Sequence, residues 1–477
     1  MTRQVVVDVV VDGMKRAGTP HLFGVATSPM NGLLVAARAS GLAVTLASSE
    51  TAACVMAAVT GDLVDAPGAV AIGEGAGFVG PPRVPDGAPF VLITSGHPAP
   101  IPGCKETLAV EPESAAHRIA HAVRLAMTEP RGAVHLDIPA RVLEAAAVPV
   151  ATSCRPDPPP YPDATALDAA ARAISDAARP LLLAGFHCRS DDAATWLRAL
   201  VEALPAPLLS TARAKGALPD PHPLMLGELG VTSIEERLLT RADLVVALGL
   251  AAFETLPESF WAARPSLFLG PATPPDGHAF GTRVLGAVGP IVEELAGRLR
   301  DKPRADWDVA ELDRLRREGG SRSVGAGLDA RLVRLAREAT PAGTIATVDA
   351  RAHAACVSAA WHATAPREFL LSSGLAARGF ALSAGIAAWL VRPERHVVCF
   401  TDTSELAAAA SELETAARLG ARLVVVAFAG DAEAPIVTRQ AAAVGFTVSD
   451  ADSETAFARV FARALATPGA SLILARC

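Results

Sequence analysis

Apolar positions along the chain repeat with two periods. At residues 5–17 they fall at 6, 7, 10, 11 and 14, one face of a helix. Residues 21–23 read as a short strand running into Gly24, then a loop at Thr27-Ser28-Pro29 and a helix over 33–38. The alternation continues with strands at 43–47, 68–72, 89–94 and 133–138, and with helices starting at Glu50 and covering 117–127. Most of these strands, such as PFVLIT at 89–94, are apolar on both faces, which predicts a parallel sheet covered on both sides.

Residues 155–162 (RPDPPPYP) hold too many prolines to sit inside an element and read as a linker. A second unit follows, with helices at 166–177, 195–203, 234–240 and 291–299 and strands at 180–184, 207–210, 244–248, 266–269 and 283–285. Residues 301–325 are charged and Gly-rich and read as a second linker. Beyond them lie helices at 330–339, 379–391, 405–419 and 456–466, with strands at 344–348, 396–400, 423–428 and 471–474. The pattern predicts an α/β protein of three doubly wound parallel-sheet domains, at 1–154, 163–300 and 326–477.

Composition narrows the picture. Aromatics are only 4% against 51% apolar residues, so the core is expected to be Ala, Val and Leu in closely packed layers. A net charge of −7 over 477 residues argues against a nucleic-acid surface. The seven cysteines form no C-x-x-C pair, which fits neither a zinc knuckle nor a disulfide framework and suggests a reducing, cytoplasmic setting. The start of the chain lacks a leader cleavage pattern, and the most membrane-like stretch, 379–391, is too short to span a bilayer. No membrane or nucleic-acid partner is expected.

The chemistry concentrates at Glu50. It follows the apolar run 42–47 and opens a small-residue helical pattern, Ala52, Ala53, Met56 and Ala57. Such an acid is explained either by the positive end of the helix dipole or by catalysis in a dry site. Other candidates carry less. His97 follows a strand end and, with Glu106, is a candidate for a substrate cleft, against a surface histidine and a solvated loop. The stretch 73–77 (GEGAG) is incomplete as a dinucleotide loop and holds an acid that would repel a pyrophosphate, so it reads as a structural turn. His117 and His121 have metal-like spacing without a third ligand, and no G-x-S-x-G elbow occurs.

Four segments in this order resemble the thiamine-diphosphate enzymes of the acetolactate synthase and pyruvate decarboxylase type. They are 49–58 around Glu50; 178–185 (ARPLLLAG) with Lys215-Gly216-Ala217 and 220–224 (DPHPL); 372–382 (SSGLAARGFAL); and 392–398 (RPERHVV) leading to Thr401-Asp402-Thr403. The resemblance implies a pyrimidine-binding, a middle and a diphosphate-binding domain. It makes Glu50 the catalytic glutamate that contacts the cofactor's aminopyrimidine. It makes Gly24, Thr27, Ser28, Arg351, His353, Gly374, Arg378, Thr401, Thr403 and Ser404 candidates for cofactor binding, and Asp402 a magnesium ligand. It also implies a homodimer or homotetramer acting on a 2-oxo acid or aldehyde, by decarboxylation or carboligation.

The diphosphate end departs from the family pattern. Threonines 401 and 403 stand where the family has glycines, and the place of its second metal ligand, an asparagine, is Ala429 or Gly430. Asp431 is a late substitute, and the chain from 429 to 444 is shorter than in relatives. Arg378 replaces a bulky apolar residue and Arg351 a glycine. Either they are surface residues or pair with Asp349, Asp402 or Glu405, or their guanidinium groups replace magnesium against a diphosphate or bind another anion. In the middle domain, Gly185-Phe186-His187-Cys188 sits where some relatives keep a nucleotide crevice. The alternative function is a homologue without thiamine diphosphate or magnesium, serving as a regulatory partner or doing other chemistry in the same cleft.

Overall fold

A computed structural model describes residues 4–476 apart from 27–29, 74–86, 149, 157, 232–233, 255, 257, 262–264, 272–278, 300–304, 323–326, 350–352, 372–377 and 431. Its described residues form three six-stranded sheets, and the fold is α/β with three parallel-sheet domains.

The first sheet holds β1 (His21–Gly24), β2 (Ala43–Leu46), β3 (Gly68–Gly73), β4 (Phe90–Ser95), β5 (Cys104–Ala109) and β6 (Ala133–Asp137) in the order β2-β1-β3-β4-β6-β5, all paired parallel. Its helices are α1 (Val6–Arg16), α2 (Asn31–Ala39), α3 (Glu50–Val64), α4 (Ala115–Met127) and the short α5 (Ala140–Leu143). The second sheet holds β7 (Pro180–Ala184), β8 (Leu208–Ser210), β9 (Met225–Glu228), β10 (Leu244–Leu248), β11 (Ser266–Gly270) and β12 (Thr282–Leu285), ordered β12-β11-β10-β7-β8-β9. Around it lie α6 (Ala164–Asp176), α7 (Asp191–Ala203), α8 (Glu235–Arg241), α9 (Glu258–Trp261), α10 (Val288–Arg298) and α11 (Val309–Arg322).

The third sheet holds β13 (Ile345–Val348), β14 (Phe369–Leu371), β15 (Val397–Asp402), β16 (Val424–Phe428), β17 (Thr447–Ala451) and β18 (Ser471–Ala475), ordered β14-β13-β15-β16-β18-β17. Its helices are α12 (Leu328–Ala339), α13 (Ala354–Ala360), α14 (Phe380–Val391), α15 (Thr403–Ala408), α16 (Ala410–Leu419), α17 (Ala434–Ala443) and α18 (Glu454–Ala466). By contact the chain divides into two compact units. One is Met1–Pro158, Ile345–Ala350 and Ser372–Cys477; the other is Pro159–Thr344 and Arg351–Leu371.

Two helices differ from the rest. Most pack one apolar face on a sheet and turn a polar face to solvent. In α3 and α14 nearly every side chain is buried, because the two pack on each other as well as on their sheets. Their small residues allow the close approach. A Cβ on Gly61 would lie 2.0 Å from Pro89 O, and one on Gly68 would lie 1.9 Å from Ala57 O, so α3 is pressed onto β3 and β4.

The linker read over 301–325 is corrected in part. Residues 309–322 form α11, and Trp307, Leu312 and Leu315 are buried in the apolar cluster on one face of the second sheet. Three apolar residues among many charges sufficed to seat it. The single helix read over 405–419 is also corrected: it breaks at Ala409 into α15 and α16. Strands β5 and β17 escape the pattern because they are edge strands with mixed, half-exposed side chains. Among the described residues no helix is long and apolar enough to cross a membrane.

Candidate functional site

Glu50 is the first residue of α3. Ser49 caps the helix, its Oγ accepting a hydrogen bond from Ala52 N at 3.2 Å. The tip is held from α16, 364 residues away in sequence. Ser48 N donates to Glu412 Oε1 at 3.0 Å, and Ser49 Oγ donates to the same oxygen at 3.4 Å. Ser48 Oγ donates to Ser411 O at 3.0 Å and lies 3.0 Å from Thr415 Oγ1. Arg392 Nη2 donates to Leu63 O at 2.6 Å, holding the other end of α3.

Glu412 is 1% exposed, and burial pushes its carboxyl above the usual range. Its Oε2 is buried without a hydrogen-bond partner among the described residues. Glu50 is its opposite. It is half-buried, and its carboxylate has no hydrogen-bond or ion-pair partner among the described residues. Here a helix start holds the Glu50 carboxylate in place through its neighbours' backbone and hydroxyls.

We expect Glu412→Ala to lower kcat about tenfold to hundredfold by loosening this tip. Glu412→Gln keeps an acceptor at Oε1 and should retain most of the rate. Equal losses in both variants would remove Glu412 from a positioning role.

The second cluster sits where β15 meets α15. Asp402 caps α15: its Oδ1 accepts from Ser404 N at 2.9 Å, Ser404 Oγ at 2.6 Å and Glu405 N at 2.9 Å. Thr401 Oγ1 donates to Asp349 Oδ2 at 2.5 Å, and Ala381 N donates to Asp349 Oδ1 at 2.9 Å. Thr403 Oγ1 accepts from Gly430 N at 3.0 Å. Glu405, 2% exposed, accepts from Gly379 N at 2.9 Å and from Arg378 Nε at 3.3 Å. Arg378 also donates to Ser404 O at 3.2 Å. Of the partners that the sequence offered Arg378, the structure selects Glu405.

Burial pushes the Asp349 carboxyl up to about 7, against the opposing pull of its two hydrogen bonds. The folded value lies above the unfolded carboxylate range, so the folded state holds the proton more tightly. This contribution to stability is complete below about pH 4 and is lost as pH rises through about 7. We expect Asp349→Asn to gain stability relative to the parent between pH 5 and 8, by up to a few kcal/mol, read as the difference in melting temperature. Taking the difference cancels His21 and His135, which burial pushes down to about 4 and whose slope runs the other way.

Among the described residues the motif positions fit magnesium poorly, offering it one side-chain ligand, Asp402. The one carboxylate at the motif position already caps a helix with Oδ1. At the place of the second ligand, Ala429 and Gly430 carry no side chain that can ligate a metal. Among the described residues no group of three or more His, Cys, Asp or Glu is arranged for a metal. At the other end Glu50 is held in place and has no partner among the described residues, which leaves its carboxylate available to a bound group.

The remaining candidates are dispersed. Gly24 ends β1, and a Cβ there would meet Leu34 Cδ2 at 2.8 Å and Ala71 O at 3.1 Å, a close-packing position. Thr27, Ser28, Arg351 and Gly374 lie outside the described residues, as does Asp431. His353 stands just before α13 and makes no side-chain cap to it; its Nδ1 lies 3.3 Å from Asp329 Oδ2. His97 follows β4, its backbone N donating to Asp137 Oδ1 at 2.9 Å and its ring centroid 6.2 Å from that of His135. Glu106 stands on edge strand β5 and lies 3.5 Å from His121, both side chains being exposed. After β7, the amides of Phe186 and Ala251 donate to buried Glu254 at 2.8 Å each, and Thr211 Oγ1 donates to it at 2.5 Å. The chain's own carboxylate thus occupies donors that a nucleotide phosphate would need.

Three domain models match the chain in order: the N-terminal TPP-binding domain of thiamine pyrophosphate enzymes at residues 4–81, the central domain at 167–265, and the C-terminal TPP-binding domain at 351–432. The chain belongs to the thiamine-diphosphate-dependent enzyme family, whose members are typically lyases and decarboxylases. It is 32% identical over 341 residues to a probable 2-ketoarginine decarboxylase of Pseudomonas aeruginosa, covering 68% of this chain and 59% of that one. It is 29% identical over 326 residues to the acetolactate synthase isozyme 1 large subunit of Escherichia coli, covering 62% and 54%. These matches span little more than half the length of those relatives. Acetolactate synthase of Bacillus subtilis is 25% identical over 458 residues, 87% of this chain and 80% of that one. The crystal structure of benzoylformate decarboxylase from Polynucleobacter necessarius has the same fold, with a TM-score of 0.82 at 16% identity, covering 99% and 98%.

Proposed function

We propose that the protein is a decarboxylase or carboligase of a 2-oxo acid, with Glu50 as its catalytic acid–base group. The observation that carries this reading is the Glu50 carboxylate, without a partner among the described residues, at a helix tip fixed by Glu412, Ser411 and Thr415. Thiamine diphosphate, when bound, supplies the electron sink for the carbanion chemistry. The chain's part is to hold Glu50 against the cofactor's aminopyrimidine and to move a proton there. A carboxylate without a partner among the described residues also supports action as a homodimer or homotetramer, in which a second copy completes the site.

A second reading is favoured by the cluster around Asp402. Asp402, Thr401, Thr403 and Arg378 are all engaged within the chain, as in a homologue that no longer takes a magnesium diphosphate. Calorimetric titration with thiamine diphosphate, with and without magnesium, separates the two. Binding in either condition supports the first reading; no binding in both sinks it. Binding that is indifferent to magnesium would assign the diphosphate to Arg378 and the backbone.

A further inference from the structure

The second compact unit contains a cavity of about 460 Å³ beside β9, α11 and α13. That volume is in the range of small-molecule sites. Its inner wall is polar but balanced. Lys215 Nζ lies 2.7 Å from Asp220 Oδ2, both side chains being under a tenth exposed, and Asp220 also accepts from Ala363 N at 2.8 Å. Glu228 is buried and accepts the hydroxyl hydrogen of buried Ser358. Burial raises the Glu228 carboxyl and lowers the His362 imidazole, so both tend toward neutrality.

The rim is different. Arg316 and Arg317 share a single carboxylate, Asp313, at 3.1 and 2.5 Å. Two guanidiniums against one carboxylate leave a positive surplus. Arg316 Nε is buried without a hydrogen-bond partner among the described residues. Met225, Leu226 and Val231 complete the lining with apolar surface.

A positive rim, an apolar wall and a charge-balanced interior match a small monoanion with an apolar body. A cation would meet the arginines, and a large polyanion would exceed the volume. We propose that this cavity is a ligand site for a small organic carboxylate, the anion held by Arg316 and Arg317 and the apolar body by Met225, Leu226 and Val231. None of these residues belongs to the Glu50 site, so the proposal stands apart from the reaction assigned there.

The test is calorimetric titration of the full chain with isovalerate and with its uncharged counterpart isovaleramide. Isovalerate should bind at least tenfold more tightly than the amide. Arg316→Gln should weaken isovalerate at least tenfold, while Glu50→Gln leaves it unchanged. Val231→Trp, which fills the cavity without touching the arginines, should abolish binding and serves in place of Arg316→Gln if that variant fails to melt cooperatively. Absence of isovalerate binding, equal binding of acid and amide, retention in Val231→Trp, or loss in Glu50→Gln would each overturn the assignment.

Discussion

Glu50→Gln should lower kcat by about 10²–10⁴-fold, the usual worth of a positioned acid–base group, while its melting temperature stays near the parent's. The two halves of this expectation come from the same geometry. The carboxylate forms no hydrogen bond or ion pair with a described residue, so the amide removes no native contact. The cap at Ser49 and the grip of Glu412 on Ser48 act through backbone and hydroxyl groups and remain intact. A loss of rate without a loss of stability marks a chemical role. If stability fell as well, the helix-dipole account of an acid in the first turn would regain ground, although that interaction is worth only about 0.3–1 kcal/mol. Unchanged turnover in a cofactor-loaded enzyme would remove Glu50 from the mechanism.

Gly61→Ala should destabilise the protein and carry activity down with it. Helix propensity alone argues for a gain, because alanine is better than glycine in a helix interior by about 0.5–1 kcal/mol. Packing argues against it and is stronger. The added Cβ would lie 2.0 Å from Pro89 O and 3.0 Å from Gly68 N, both backbone atoms that cannot rotate away. Overpacking of this kind costs about 1–3 kcal/mol or more. Relief requires α3 to move off β3 and β4, and Glu50 rides on the first residue of that helix. A lowered melting temperature accompanied by a lowered kcat is the expected pair of results, read by thermal denaturation and initial rates. A raised melting temperature would show that α3 is not clamped as the structure has it.

Much of the molecule is legible before any coordinates. Alternating apolar strands and helices announce three parallel-sheet domains, because strands buried on both faces have no polar side to hide the pattern. What the pattern misses is consistent. Edge strands β5 and β17 carry mixed side chains, α11 hides three apolar anchors among charges, and α17 occupies the stretch after residue 429 that reads only as shortened. Glu50 is visible as an acid in an apolar setting, and Asp402 as an acid at a strand end.

Their circumstances are not visible. Glu412 reads as one more acid on a polar helix face. Only folding brings it against Ser48, where it becomes a buried anchor. Arg378 reads as an ion-pair partner or an anion ligand, until Glu405 and the Ser404 carbonyl accept its guanidinium. The reason is physical. Periodicity and turn chemistry act over a few residues, and they fix which segments are helix or strand and which faces are apolar. Which helix is pressed against which is settled by burial across hundreds of residues. The position of Glu50, whose carboxylate has no partner among the described residues, is a consequence of that packing, whereas Asp402 is engaged locally, capping α15 through Ser404 and Glu405.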